Sequence, residues 1–489
     1  MIRTGILVLS GLVSTSALVA AEPPPAGLRA GAATSVITPE LGSPIVGGFV
    51  PSPSTHIHDD LKVRCLVLDD GRTKLALVVC DLAGLHRVVS SEARKQIQAT
   101  TGIPQECVLI SATHTHSAAS ALAKKMYQPQ PELDAYQQFV ARRIADGVRC
   151  AVNTLRPVEL ASGTVEIPEH VFNRRWYLKP GKMTENPFGK IDKVRMNPGA
   201  GSPDLLEPAG PTDPVVSFFS VREPGGKPIS VFAAYSLHYV GGVGDGHISA
   251  DYFGEFCAQM SRLLEAERQD PPFVALLANG TSGDVNNISF REPRPRKAEY
   301  EQIRYVAHDV AGKVFATMKD LKYRGDIRLD ARYREPAIQW RKPTAEELAW
   351  AQTTLETHPE VPGKTDLSRI YAERTMSLAE NPESSPVPVQ LLVIGDTCLG
   401  TMPCEVFCEI GLEFRERCPL KPAFMVSLNH GYYGYLPTPR QHELGGYETW
   451  IGTNRLEREA SVKMLNAIVE MAEEIKASRA SPSDAKSQE

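Results

Sequence analysis

Two histidines one residue apart, His114 and His116 in the run SATHTHS, offer imidazole nitrogens that can bind a metal ion or carry a proton. On a continuing strand alternate residues share a face, so the two rings would point the same way. Taken alone, the pair reads equally well as two hydrogen-bonded structural histidines. A second source of imidazole is His238, which ends the apolar run VFAAYSLH and enters the glycine-rich stretch YVGGVGDGH. Glu405 in MPCEVF follows a strand-like run and opens a helix-like one, where a carboxylate also suits the positive end of a helix dipole. The segment HGYYGYLPT adds three tyrosines in a turn-rich stretch, where tyrosines ordinarily pack or face solvent.

The surrounding pattern places these residues at the ends of buried strands. LKVRCLVLDD, a DG turn and TKLALVVCD read as a hairpin of two buried strands, a helix follows over about 88–101, and CVLISATHTH is an apolar strand ending in polar residues. Further strands are expected at 158–167, 215–221, 229–238, 387–394 and 398–402, and helices at 133–155, 252–267, 298–320, 345–356 and 367–379. Interleaved helices and strands predict an α/β layered fold, a mixed β-sheet flanked by helices, with the active site at the strand carboxyl ends. Residues 168–213 are the least regular stretch, and so long a loop in a compact domain is usually functional. A last amphipathic helix is expected over 455–477, within a single catalytic domain spanning 29–478, followed by a disordered tail at 479–489.

The chain has 489 residues, 42% hydrophobic and 23% charged, with a net charge of −5 and no long basic run. That composition fits a globular protein and excludes an electrostatic footprint for nucleic acid. The opening MIRTGILVLSGLVSTSALVAAE has a basic start, a short apolar stretch and small residues at Val19 and Ala21, so residues 1–21 read as a signal peptide and the protein as exported, periplasmic or secreted. An uncleaved anchor is the alternative reading. Nine cysteines are too few for a disulfide scaffold, and the expectation is buried apolar packing with room for one bridge. No pattern specifies an oligomeric state.

Taken together, SATHTHS, SLHYV followed by HISADYFGEF, ANGTSGDVNN, MPCEVF and GYLPT followed by GGYE resemble, in order, the active-site segments of the neutral/alkaline ceramidase family. The opening GAATSVITP, the segment IHDDLKVRCLVLD and the pair Asn173-Arg174 resemble it too, and the likeness covers roughly residues 29–460. It does not extend to the immunoglobulin-like carboxyl-terminal domain of that family. The resemblance implies a zinc ion held by His114, His238, Glu405 and Tyr435, with His116 beside the metal as a proton-handling or transition-state-stabilising group. It implies substrate contacts from Arg174 and from Tyr447, and it includes His58 without a role. The substrate it implies is a small-molecule or lipid-like amide or ester, sphingolipids being the family's own class, with contact to a membrane surface as an associated expectation.

The chain departs from the family where the loop Gly-Asp-Val-Ser supplies a serine nucleophile, because here Gly283, Asp284 and Val285 are followed by Asn286. An amide cannot serve as acyl acceptor in place of a hydroxyl. The favoured reading is a hydrolase that cleaves an amide bond with a zinc-activated water, Asn286 orienting substrate. Ser282, in the same loop, is a weaker candidate nucleophile. An esterase or deacylase on a polar, carbohydrate-like substrate and a non-catalytic binding protein are the competing readings.

Overall fold

Three sheets of similar topology surround one core in the computed structural model, which describes residues 27–122, 132–361 and 364–480. The first sheet runs Arg156–Pro157, Arg29–Val36, Lys62–Asp69, Lys74–Cys80, Val108–Ala112. The second runs Glu159–Glu166, Val215–Arg222, Pro228–Tyr235, Val274–Asn279, and the third Leu329–Arg334, Val389–Ile394, Thr397–Thr401, Ala423–Val426. In each, antiparallel pairs lead to a last pair that is parallel: Lys74–Cys80 with Val108–Ala112, Pro228–Tyr235 with Val274–Asn279, and Thr397–Thr401 with Ala423–Val426. A parallel pair needs a crossover, and helices supply it: Arg87–Thr101, Asp251–Leu263 and Cys408–Arg417. The α/β fold with mixed strands and flanking helices is as expected, distributed over several sheets instead of one.

Strand alternation explains why the three sheets close on one another. Phe232 and Ala234 face the central core while their neighbours Val231, Ala233 and Tyr235 face the helices Asp251–Leu263 and Glu301–Met318. In the third sheet Leu392 and Ile394 point inward, and Leu391 and Val393 point out toward Cys408–Arg417 and Ala460–Ala480. The innermost strands of the three sheets are sewn together at their carboxyl ends. Ala112 N donates to Leu428 O at 3.2 Å, Ser427 N to Asn279 O at 2.9 Å, and Asn279 Nδ2 to Thr113 O at 3.1 Å. The loops leaving these ends therefore converge on one place, which is where the candidate residues sit.

Several boundaries differ from the sequence-based expectation. Strand Pro228–Tyr235 stops three residues before His238, and Glu405 lies in a short strand, Glu405–Val406, paired parallel to Tyr435–Leu436; the helix begins only at Cys408. Glu405 is thus no helix-capping carboxylate. The stretch 168–213 is not featureless: Phe172–Asn173 pairs with Val285–Asn286, and Arg175–Leu178 pairs with Arg195–Met196 and Leu205–Pro208. The last helix is Ala460–Ala480, and the expected leader and residues 481–489 of the expected tail lie outside the described residues. All nine cysteines carry free thiols, so the single bridge is not formed. Among the described residues no helix is long and apolar enough to cross a membrane.

Candidate metal centre

His114 reaches the centre through a turn, not a continuing strand. The strand ends at Ala112, and His114 adopts φ 69, a left-handed conformation that costs a non-glycine residue on the order of 1 kcal/mol and is held where surrounding contacts demand it. Its Nδ1 lies 2.5 Å from Ala83 O, in the loop leaving the neighbouring strand. His238 Nδ1 lies 3.0 Å from Ser282 O. A ring nitrogen facing a carbonyl must carry the proton, so in both rings Nε2 keeps its lone pair and turns it inward. Each Nε2 approaches the same atom: Glu405 Oε2 is 3.1 Å from that of His114 and 3.6 Å from that of His238. His238 Nε2 and Glu405 Oε2 are nonetheless buried with no hydrogen-bond partner among the described residues. Lone pairs crowded together without a proton between them are costly unless a cation sits among them.

His116 completes the group. Its Nε2 is 3.2 Å from His114 Nε2, the ring stacks on Tyr239 at 3.8 Å, and it also hydrogen-bonds the Gly47 backbone. The donor nitrogens of His114, His116 and His238 all lie within 4.8 Å of one another, and the three could hold a metal ion. Nitrogen and oxygen ligands about 2.0–2.1 Å from a tetrahedral ion stand about 3.3–3.4 Å apart, so the 3.1 and 3.6 Å from Glu405 Oε2 to the nitrogens of His114 and His238 suit ligands sharing one metal ion, as does the donor chemistry of imidazoles plus a carboxylate.

The surroundings aim the carboxylate. Tyr432 OH donates to Glu405 Oε1 at 2.7 Å, leaving Oε2 for the histidines, and Tyr435 also hydrogen-bonds Glu405. Burial disfavours the Glu405 charge, but His114, His238 and Tyr435 hold its carboxyl below the usual range. Burial pushes the Tyr435 phenol well up, with Arg174 opposing. Arg174 itself is buried: Nε donates to Glu448 Oε1 at 2.8 Å, Nη2 to Gly283 O at 2.8 Å, and the guanidinium lies 5.3 Å from the Tyr435 ring centre. Tyr447 stands edge-on to Tyr435 at 5.7 Å and to Phe49 at 6.1 Å, its phenol pushed up to about 12 chiefly by burial.

The loop carrying Asn286 is bound to this group by backbone. Gly283 N donates to Val406 O at 2.8 Å, and a Cβ at Gly283 would fall 2.5 Å from Glu405 O, so only glycine allows the approach. The Asn286 amide is engaged locally: Nδ2 donates to Asn197 Oδ1 at 2.7 Å, and Oδ1 accepts from Ile288 N at 3.0 Å. Ser282 is buried, with its hydroxyl 2.7 Å from Asn279 Oδ1. His58 stacks on Tyr300 at 3.6 Å, a partner it does not share with the histidine cluster.

Sequence reasoning passed over Tyr432, Glu448, Arg175 and Asp251. Tyr432 and Glu448 lie inside the motifs read for Tyr435 and Tyr447, but nothing in a single sequence marks which neighbour turns inward. Asp251, at φ 55, accepts from Val240 N and Gly241 N at 2.9 Å each, which pins the loop that follows His238.

Burial also sets a pH dependence. His86, His116, His170, His238, His430 and His442 all resist protonation, burial being the largest cause in each, with His86 at about 4 and His442 at about 3. The unfolded chain takes up these protons near pH 6.5 while the folded chain does not, so stability present above that pH is lost on acidification. Asp251 and Asp284, both pushed up to about 6 by burial, act in the opposite sense, as do Asp59 and Asp81, but the histidines outnumber them. The Tm of metal-free protein is expected to fall between pH 7 and pH 5, at about 1.4 kcal/mol per pH unit for each net proton. A melting series across that range checks it, and a flat or rising Tm on acidification would contradict the assignment.

Two solved structures share this fold. A crystal structure of neutral ceramidase from Pseudomonas aeruginosa matches with a TM-score of 0.67 at 17% sequence identity, over 91% of this chain and 74% of that one. A structure described as ceramidase complexed with C2 matches with a TM-score of 0.67 at 16% identity, over 92% of this chain and 75% of that one. No protein-family model and no curated protein sequence matches the chain.

Proposed function

Starting from a chain with the neutral ceramidase fold, we propose that it is a zinc-dependent hydrolase that cleaves an amide bond, with water as the acyl acceptor, and that it acts outside the cytoplasm after export by residues 1–21. The observation that carries this reading is the convergence of His114 Nε2, His238 Nε2 and Glu405 Oε2 at 3.1–3.6 Å with two of these atoms otherwise unpartnered. A zinc ion bound there supplies a Lewis acid that polarises a carbonyl and lowers the pKa of water toward neutrality. His114, His238 and Glu405 hold it, with Tyr435 beside Glu405 as the remaining member of the set. His116, kept neutral by burial, takes a proton at Nε2 and returns it to the leaving amine. Arg174 holds Tyr435 in place and Tyr447 lines the approach. The bound geometry of Asn286 supports a role in shaping the loop that substrate meets.

The choice of water over serine rests on Ser282. Its hydroxyl is committed to Asn279, and its carbonyl, not its hydroxyl, makes the closer contact to His238 Nδ1. The substrate is a lipid-like or smaller amide, an ester being the nearest competitor.

Two measurements on purified protein test this together: metal content by mass spectrometry, and turnover of a panel of N-acyl amides and matched esters. The expected result is about one zinc per chain, amide turnover that chelator removes and zinc restores, and Ser282→Ala protein that keeps zinc and most of its activity. Loss of turnover in Ser282→Ala with zinc retained would return the serine route. Folded, zinc-loaded protein that cleaves nothing would favour a binding protein.

A further inference from the structure

Two rings out from Tyr435, beyond Tyr447 and Phe49, stands a cation with no ion-pair partner among the described residues. Arg374, on helix Leu367–Ala379, makes no ion pair and no hydrogen bond among the described residues. Several other arginines are ion-paired: Arg174 and Arg175 with Glu448, Arg415 with Asp213, Arg369 with Glu373. Arg374 is nevertheless held in place. Its guanidinium lies 5.6 Å from the ring centre of Phe49 and 5.1 Å from that of Tyr371, and its stem fills the space left by Gly452, where a Cβ would fall 2.6 Å from Arg374 Cβ. A rigid, half-buried guanidinium whose donors are unused is a poor stability device and a good receptor for a planar anion.

Its position relates it to the reaction. Phe49, still partly exposed, stands edge-on to Tyr447, Tyr447 stands edge-on to Tyr435, and Tyr435 bonds Glu405. A row of rings thus runs from the metal centre to Arg374, and the Arg374 charge acts on the Tyr447 phenol. Phe49 and the next residue, Val50, are both exposed, so the outer end of this row combines apolar surface with the Arg374 cation.

We propose that Arg374 is a specificity-determining residue that binds an anionic group of the substrate, so that the preferred substrate is an acyl amide bearing a carboxylate or similar anion rather than a neutral lipid amide. The proposal rests on the hydrolase reading for the word substrate, but the anion site does not depend on turnover. The apolar rings take the hydrocarbon part, and the guanidinium fork takes the anion at the far end from the scissile carbonyl.

The test compares three matched ligands on zinc-loaded protein: N-lauroylethanolamine, which is neutral; N-lauroylglycine, with the anion on the amine half; and N-(11-carboxyundecanoyl)ethanolamine, with the anion at the end of the acyl half. Binding by calorimetry and, where hydrolysis occurs, kcat and KM are measured for wild type, Arg374→Gln and Arg374→Lys. Wild type is expected to prefer N-(11-carboxyundecanoyl)ethanolamine, whose anion is separated from the amide by the hydrocarbon chain, over the neutral ligand. Arg374→Gln should lose about 10- to 100-fold on that anionic ligand, mainly in KM, with under about threefold change on the neutral one, and Arg374→Lys should recover part of the loss. A preference for N-lauroylglycine instead, whose carboxylate lies beside the amide, would contradict this placement of Arg374. Equal loss on all three ligands, or a wild type that binds neither anion better than the neutral amide, overturns the proposal. Arg374-dependent binding without hydrolysis would uphold the anion site and sink the hydrolase reading instead.

Discussion

Glu405→Ala protein is expected to be folded, to carry less than about a tenth of the wild-type metal, and to lose activity by about 10³-fold or more. Among the described residues Glu405 is the only anion touching the nitrogens of His114 and His238, through Oε2 at 3.1 and 3.6 Å, and removing it leaves neutral imidazoles to hold a divalent cation in a buried place. Glu448 cannot take over, because it is already shared between Arg174 and Arg175. Glu405→Gln separates charge from shape. The amide oxygen can still accept from Tyr432 OH, which turns the amide nitrogen toward the histidines and blocks the site from within. Both variants should therefore lose metal, measured by mass spectrometry after gel filtration, and added zinc should restore neither at concentrations that saturate wild type. Normal metal content in Glu405→Ala would remove Glu405 from the site.

The parts of this arrangement that sequence could anticipate are those set by local pattern. The strand-then-polar signature at His114, His238 and Glu405 follows from period-two burial that ends where the chain leaves the sheet. The helices were legible for the same reason: Leu367–Ala379 shows its apolar spacing without its partners, and Thr344 and Asp134 carry the capping chemistry that starts theirs. What stayed hidden depends on contacts between distant segments. The division of the strands among three sheets is decided by which hydrophobic faces meet, as where Phe424 of the third sheet packs on Phe219 of the second. The turn at His114 is equally non-local, because its φ of 69 is paid for by the Ala83 carbonyl thirty-one residues away. For Asn286 the sequence registers the missing hydroxyl but not where the amide points, which Asn197, eighty-nine residues away, decides.

Replacing Glu448 by Ala should be the most destabilising single change near the site, by about 3–5 kcal/mol, because it strands two buried guanidinium groups at once. Glu448 and Arg175 have no exposed side-chain surface, and Arg174 has little. Oε1 accepts from Arg174 Nε at 2.8 Å and Oε2 from Arg175 Nη1 at 2.6 Å. Arg175 keeps Gln441 and the Gly445 carbonyl, at 2.7 Å, so its donors are partly satisfied, but its one ion-pair partner among the described residues is gone and the field of Asp284 is what remains to offset its charge. Arg174 keeps Gly283 O, and with Glu448 gone its nearest anion is across Tyr435, at Glu405. The loss then reaches function as well as stability, since a guanidinium drawn toward Glu405 competes with the metal for the same carboxylate. Chemical denaturation should show the lower midpoint with an unchanged slope, and zinc affinity should fall even at temperatures where the variant is fully folded. Glu448→Gln should recover packing and some hydrogen bonding but little of the charge balance, leaving most of the destabilisation in place. If Glu448→Gln instead matched wild type in both midpoint and zinc affinity, the two arginines would be held by their carbonyl partners alone, and the charge of Glu448 would have no part in placing Tyr435.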